Sequence, residues 1–302
     1  MPSSYPWNSP TSPNVEKVGL FSIGSLEEKI PFALHPFLLS TDLAIGLYKK
    51  FDYPIGLSHE LIREIKSTLK RKDLKYVIFD LRIHNWTNAR YVNRMRLFSQ
   101  SLKDDCSELG IESTMILSNG GQLLGKAVGV FCEMIEAYEV WKGMGPPDLT
   151  KFTLEIAADL LMMGKRSKHR QEAKKWLRDR IISQEFSDTA SEALKQAAPF
   201  FGGFEKRTLC SSKDGYVHHL EIKRLHSIKS KLTSAHPGTG FILLKKTGDW
   251  IGKGSGIFEV CIPTGKDIPV EAEDFRKTLV ISDDPPQYQP FILERLGPNR
   301  FS

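Results

Sequence analysis

The sequence predicts an α/β fold in which a mixed sheet is flanked by helices and followed by a smaller, β-rich α+β domain. Three observations carry that prediction. Tyr76–Leu81 and Glu112–Leu117 are short apolar runs rich in β-branched and aromatic residues, and between them lies the helix-length stretch Tyr91–Leu109, stopped by Gly110. Strand, helix and strand in that order make a right-handed βαβ unit. Apolar residues recur at helical spacing at Leu57, Leu61, Ile62, Ile65 and Leu69, and again at Ala127, Val128, Phe131, Ile135 and Tyr138. After Gly202-Gly203 the pattern changes to short segments, Thr208–Cys210, Tyr216–Ile222, Gly240–Lys245 and Gly256–Ile262, parted by glycine and proline.

Taken in order, residues 1–14 are mostly Pro, Ser, Thr and Asn, too polar to pack, and residues 1–18 read as a flexible tail. Residues 19–202 form the first folded unit and 203–302 the second. Ser25-Leu-Glu-Glu28 matches a capping box and marks a helix start. Leu43–Lys50 reads as a further helical piece, and the amphipathic LSHELIREIKSTLKRK as a full helix. Ser118–Gly121 is a turn, Gly125–Lys142 a helix ended by Gly143-Met-Gly-Pro-Pro147, and Asp148 is placed to cap the helix Leu149–Met163. Gly164–Arg180 is strongly basic and helical, either a solvated face or a phosphate-facing surface. Ser187–Ala198 is one more amphipathic helix. No segment repeats at a fixed period of about 20–50 residues.

Composition narrows the class. Of 302 residues 40% are apolar and 26% charged, values of a globular protein and not of a disordered or collagen-like chain. A net charge of +6 permits an anionic ligand without pointing to nucleic acid. The four cysteines are far apart, which reads as reduced thiols and a cytoplasmic setting. No apolar run reaches the ~18 residues of a membrane span, and no signal peptide is visible. No Walker A, G-x-G-x-x-G or G-x-S-x-G run occurs, and no cofactor is expected. The vicinal pair His218-His219 lies in an expected strand, where consecutive rings face opposite ways, so no metal site is expected. Gly252-Lys-Gly-Ser-Gly256 reads as a structural loop rather than a phosphate cradle. The most site-like polar cluster is Asp80, Arg82 and His84 with Asn85, at a strand end, where α/β sheets bind ligands.

Three stretches together resemble the pyrimidine-nucleoside phosphorylase (thymidine phosphorylase) family. In Thr114–Lys165, the residues Gln122, Leu124, Gly125, Gly129, Glu133, Gly143, Gly145, Pro146, Asp148 and Leu149 fall in register with the family's turn, helix and G-x-G-P-x-D-L segment. Lys213-Asp-Gly-Tyr-Val217 and Leu243-Leu-Lys-Lys-Thr-Gly-Asp249 resemble the D-G-x-V and L-x-K-x-G-D of its C-terminal domain, and Ile281–Leu296 its closing segment. The resemblance implies a nucleoside-phosphorylase α/β core lacking its N-terminal phosphate-binding half, a C-terminal domain of the same family, a dimer, and phosphorolysis of pyrimidine nucleosides as the ancestral chemistry.

The motifs that perform that chemistry are not found. The family's K-x-S-x-G-G phosphate loop has no counterpart, so an N-terminally truncated, diverged member is expected. Where the family supplies an Arg, a Ser and a Lys to the base, a gap-free reading from Ile30-Pro31 places Phe21, Pro36 and Ser40, with Thr41 adjacent. The family strand L-D-V-K-V-G-S-G-A-F resembles 79–86: Asp80 is kept, Arg82 replaces Lys, and the glycines become His84 and Trp86. The resemblance therefore implies no catalytic residue and a candidate ligand pocket of Ser40, Thr41, Asp80, Arg82 and His84, open to a pyrimidine nucleoside or phosphate. Turnover by the chain alone is expected to be impaired or lost. The alternatives are an altered enzyme using Arg82, His84 and Asp80, and a non-catalytic interaction or regulatory subunit. That subunit would pair with a second copy, a full-length paralogue or an anionic partner through the basic Gly164–Arg180 stretch.

Overall fold

The computed structural model describes residues 16–23, 43–51, 59–70, 74–84, 87–181, 195, 203–236 and 238–297. The capping box at Ser25, and Pro36, Ser40 and Thr41, lie outside these residues, as does the expected helix 187–198 apart from Lys195. Among the described residues no helix is long and apolar enough to cross a membrane.

The central sheet has five strands in the order β12-β4-β3-β1-β2: β1 Glu16–Ile23, β2 Leu43–Phe51, β3 Tyr76–Ile83, β4 Glu112–Asn119 and β12 Ile292–Leu296. Pairs β1–β2, β1–β3 and β3–β4 are parallel and β12 runs antiparallel to β4, so the sheet is mixed, as expected. Helix α1, His59–Lys70, and helix α2, Ala89–Glu108, follow their predicted spans closely. Asn88 caps α2 by accepting the Tyr91 N–H. The predicted β3–α2–β4 unit is present, with Tyr76 to Ile83 registered on Glu112 to Asn119.

Two strands replace other expectations. β1 was not foreseen and takes in Glu16–Val18 from the segment read as tail. Leu43–Lys50, expected as helix, is strand β2. A short apolar run is ambiguous by periodicity; here the parallel ladder to β1, from Glu16↔Leu43 to Ile23↔Phe51, decides it by pairing the outer backbone groups of β1.

Sheet alternation builds two cores. Phe21, Ile23, Val77, Phe79, Leu81, Ile83, Met115 and Leu117 face one way and pack with α1 and α2 through Leu61, Ile65, Leu69, Met95, Phe98 and Leu102. Val18, Leu20, Tyr76, Ile78 and Ile116 face the other way, against helix α4, Pro147–Met163. From Phe152 to Met163 every residue of α4 is buried, because helix α5, Arg170–Ile181, covers part of its remaining surface.

The expected helix Gly125–Lys142 is two elements, a short strand β5, Ala127–Val128, and helix α3, Val130–Trp141. Gly129 breaks it, with φ 103°. A Cβ there would lie 2.5 Å from the Thr239 carbonyl oxygen, so the close approach demands glycine. β5 joins a second sheet, β5-β8-β10-β6, with β6 Phe204–Cys210, β8 Gly240–Leu243 and β10 Gly256–Pro263. A third sheet, β11-β7-β9, contains β7 Gly215–Leu220, β9 Trp250–Ile251 and β11 Leu279–Ser282. Helix α6, Ile222–Ala235, unforeseen by the sequence reading, packs Leu225, Ile228 and Leu232 into the core between these sheets, and the short α7, Ala272–Arg276, adds Phe275. The two halves thus exchange strands: β5 leaves the first for the second, and β12 returns from the second to the first.

Candidate ligand end of the central sheet

The predicted cluster lies where β1, β3 and β4 end. Ser22 pairs with Asp80 across β1 and β3, and Arg82 with Ser118 across β3 and β4, so all four side chains share the sheet face that α4 covers. Asp80 is 1% exposed and Arg82 3%. Arg82 Nε donates to Asp80 Oδ2 at 2.8 Å, Ser22 Oγ to the same oxygen at 3.3 Å, and Ser118 Oγ to Asp80 Oδ1. The guanidinium lies under two rings, its Cζ 4.6 Å from the Phe291 centroid and 5.3 Å from that of Phe152. Those rings meet edge to face at 5.0 Å. Cation–π contact with both is within range, while Arg82 Nη2 is buried without a hydrogen-bond partner.

His84 stands just past β3 beside the turn after β4. A Cβ on Gly120 would come within 2.8 Å of its ring, so the imidazole fills the space over that turn. Asn119 Oδ1 accepts the Gly121 N–H at 2.9 Å and closes the turn. The structure therefore brings Asp80, Arg82 and His84 to one strand end. Phe21, which falls at the family's arginine position, is fully buried on the opposite face and stacks on Phe79 at 5.0 Å. Ser22, Ser118, Phe152 and Phe291 belong to the cluster and were missed. Their available signal was polarity at the ends of apolar strand runs, which points to a site only once the parallel register is known.

A second charged cluster lies between α4, α5 and β12. Arg295 binds Glu155 through Nη2 at 2.6 Å and Asp159 through Nε at 3.3 Å. Arg170 Nη1 approaches Asp159 at 2.5 Å and Glu155 at 3.4 Å, and Lys174 pairs with Glu155. Burial alone would raise the Glu155 carboxyl, but the Lys174 hydrogen bond and the Arg295, Lys174 and Arg170 charges outweigh it and hold it below the usual range. For Asp159 burial prevails over both arginines and pushes it up. Two cations of the basic Gly164–Arg180 stretch are thus committed inside the protein, while Lys165, Lys168 and Lys175 remain exposed.

The motif residues shared with the family also have structural partners. Asp148 does not cap α4, whose N-cap is Pro146 without a side-chain bond. It accepts the Gly125 N–H at 3.0 Å and pairs with Lys246 of the L-x-K-x-G-D segment. Glu133 accepts the Gly129 N–H at 3.0 Å, and Asp249 Oδ2 the Lys246 N–H at 2.7 Å. In the Gly252–Gly256 loop, Lys253 N donates to Asp214 Oδ1, Gly254 N to the Ser211 carbonyl and Ser255 N to that of Gly252. Those amides are occupied, in keeping with a structural loop. The expectation for His218-His219 fails: β7 carries a register shift there, and the two rings face each other with Nδ1 atoms 3.5 Å apart. Among the described residues no three or more His, Cys, Asp or Glu side chains group to hold a metal ion.

No family model matches the chain. It is 26% identical over 223 residues to an AMP phosphorylase of Methanocella arvoryzae, covering 68% of this chain and 43% of the relative. It is 20% identical over 229 residues to thymidine phosphorylase of Mycobacterium tuberculosis, covering 73% and 53%. A pyrimidine-nucleoside phosphorylase of Staphylococcus epidermidis matches at 24% over 174 residues, covering 51% and 40%. The chain spans about half the length of these curated relatives. The motif order, the mixed α/β architecture and these similarities agree: the chain is a diverged relative of the thymidine, pyrimidine-nucleoside and AMP phosphorylases.

Proposed function

We propose that this chain is a phosphorylase descendant that does not carry out phosphorolysis on its own. The observation that carries the reading is the state of Arg82. It stands where the resembling strand has lysine, yet it is buried, neutralised by Asp80 and covered by Phe152 and Phe291. A cation spent inside the fold does not stabilise charge developing on a leaving base. Each such transition-state contact is worth about 3 kcal/mol. Losing this one therefore lowers turnover by about 10²-fold. The remaining role is that of a non-catalytic subunit in the cytoplasm, pairing with a second copy or a full-length paralogue. Four free cysteines suit such a reducing compartment. The ligand class that end of the sheet would keep is a pyrimidine nucleoside or phosphate. The AMP phosphorylases among the relatives add a nucleoside monophosphate.

The test is phosphate-dependent release of thymine, uracil and adenine from thymidine, uridine and AMP by the purified chain, beside a full-length phosphorylase. Release no greater than from heat-killed protein is expected. Phosphate-dependent release above that blank overturns the proposal. Failure of about 1 mM nucleoside or AMP to raise the melting temperature removes the ligand-binding part and leaves the subunit role.

A further inference from the structure

The pair His218-His219 has no part in the chemistry above. Consecutive residues of a regular strand send their side chains to opposite faces, but β7 does not stay regular. Val280 pairs with His219 and Ile281 with Val217, so His218 is the extra residue of a β-bulge. The bulge turns both rings to one side, with centroids 5.8 Å apart and planes at 77°. The centroids are farther apart than the 3.5 Å gap between the Nδ1 atoms, so these nitrogens lie on the facing edges of the two rings.

The gap is longer than the roughly 2.7–3.2 Å of a good N–H hydrogen bond. It matches a bridging cation better. Two metal–nitrogen bonds of about 2.0–2.1 Å span roughly 3.3–3.6 Å at angles between tetrahedral and trigonal. Glu221 supplies the third part. Its Oε1 lies 3.1 Å from His219 Nε2, and by accepting the Nε2–H hydrogen bond it leaves the Nδ1 lone pair of that ring free for a cation. Both rings are exposed, and their strand is held between β11 and β9.

We propose that Nδ1 of His218 and Nδ1 of His219 chelate a borderline transition-metal cation such as Zn²⁺. Solvent completes the coordination, and Glu221 acts as the positioning carboxylate of His219. Imidazole selects such ions over Mg²⁺. The test uses the untagged, metal-free full chain, titrated with Zn²⁺ by calorimetry while long-range ¹H–¹⁵N spectra follow the histidine ring nitrogens. One equivalent is expected to bind and to shift the Nδ1 signals of these two rings, with no binding of Mg²⁺. His218→Ala and His219→Ala should each weaken that site by at least about tenfold, and Glu221→Ala by about tenfold. Unchanged melting temperatures in these exposed variants keep the result independent of folding. Zinc binding that persists undiminished in the His218→Ala/His219→Ala double variant overturns the proposal. So does an absence of zinc-dependent change at these two rings in the wild type.

Discussion

Between Gly125 and Asp148, residues shared with the phosphorylases each have a packing duty: Gly129 lets β5 approach β8, Glu133 holds the Gly129 amide, and Asp148 binds Gly125 and reaches Lys246. At the ends of β3 and β4 the matching is different. Asp80 remains, but Arg82 is turned into the core under two phenylalanines, and His84 occupies space above Gly120. The first region joins the two halves, and at Gly129 a side chain has no room unless the backbone moves. The second is the strand end at which the sequence resemblance places a candidate ligand pocket, and here side chains fill it. The similarity to phosphorylases in the first region is therefore accounted for by the architecture, while the second holds the buried Arg82 on which the proposed loss of turnover rests.

Asp80→Ala is the strongest way to break that comparison. It leaves the Arg82 charge buried and unpaired, which costs about 4 kcal/mol in urea unfolding. Pairing it with Arg82→Met should recover much of the loss. A cost under about 1 kcal/mol for the single variant would mean that Arg82 is held for a ligand and not for the fold. Gly129→Ala comes next, at about 3 kcal/mol, because it adds a Cβ against the Thr239 carbonyl at φ 103°. A tolerated alanine there would remove the architectural reading of that segment.

The ion cluster on α4 gives a pH-dependent test. The Glu155 carboxyl is held below its unfolded value, so its stabilisation is complete above the ordinary glutamate range and is lost as pH falls through the folded value. Asp159 is shifted the other way, and its burial costs less as it protonates. Glu155→Gln should lose about 2 kcal/mol at pH 7. The gap to wild type should close as the pH falls below the ordinary glutamate range and through the lowered folded value of Glu155. A gap independent of pH would show that Glu155 acts through packing alone. The smallest effect is Lys246→Ala, about 1 kcal/mol by denaturant midpoint, because its pair with Asp148 is partly exposed. A larger loss would make this contact between the two motifs a principal joint of the fold.

The α1 helix and the β3–α2–β4 unit were legible because their patterns are plain: Leu61, Ile65 and Leu69 recur by turns of a helix, and 76–79 is apolar without a break. The polar triad Asp80, Arg82 and His84 was legible because charge at the end of such a run is uncommon. β2 was misread because nine residues of mixed polarity satisfy either period, and the partner that settles the matter, β1, had not been recognised. The helix expected over 125–142 failed at Gly129, whose cost depends on a strand more than a hundred residues later. The histidine pair was misjudged because alternation assumes a regular ladder, and the bulge in β7 is set by its register against β11. By itself the sequence determined which residues are apolar, at what local period, and which motifs are shared with the phosphorylases, all properties of neighbours along the chain. Only the tertiary structure decided that Arg82 is spent on Asp80, that Arg170 and Lys174 turn inward, and that His218 and His219 meet. Each of those outcomes is set by groups outside the local segment: Phe152 and Phe291 over Arg82, Glu155 and Asp159 facing Arg170 and Lys174, and the register of β11 on β7.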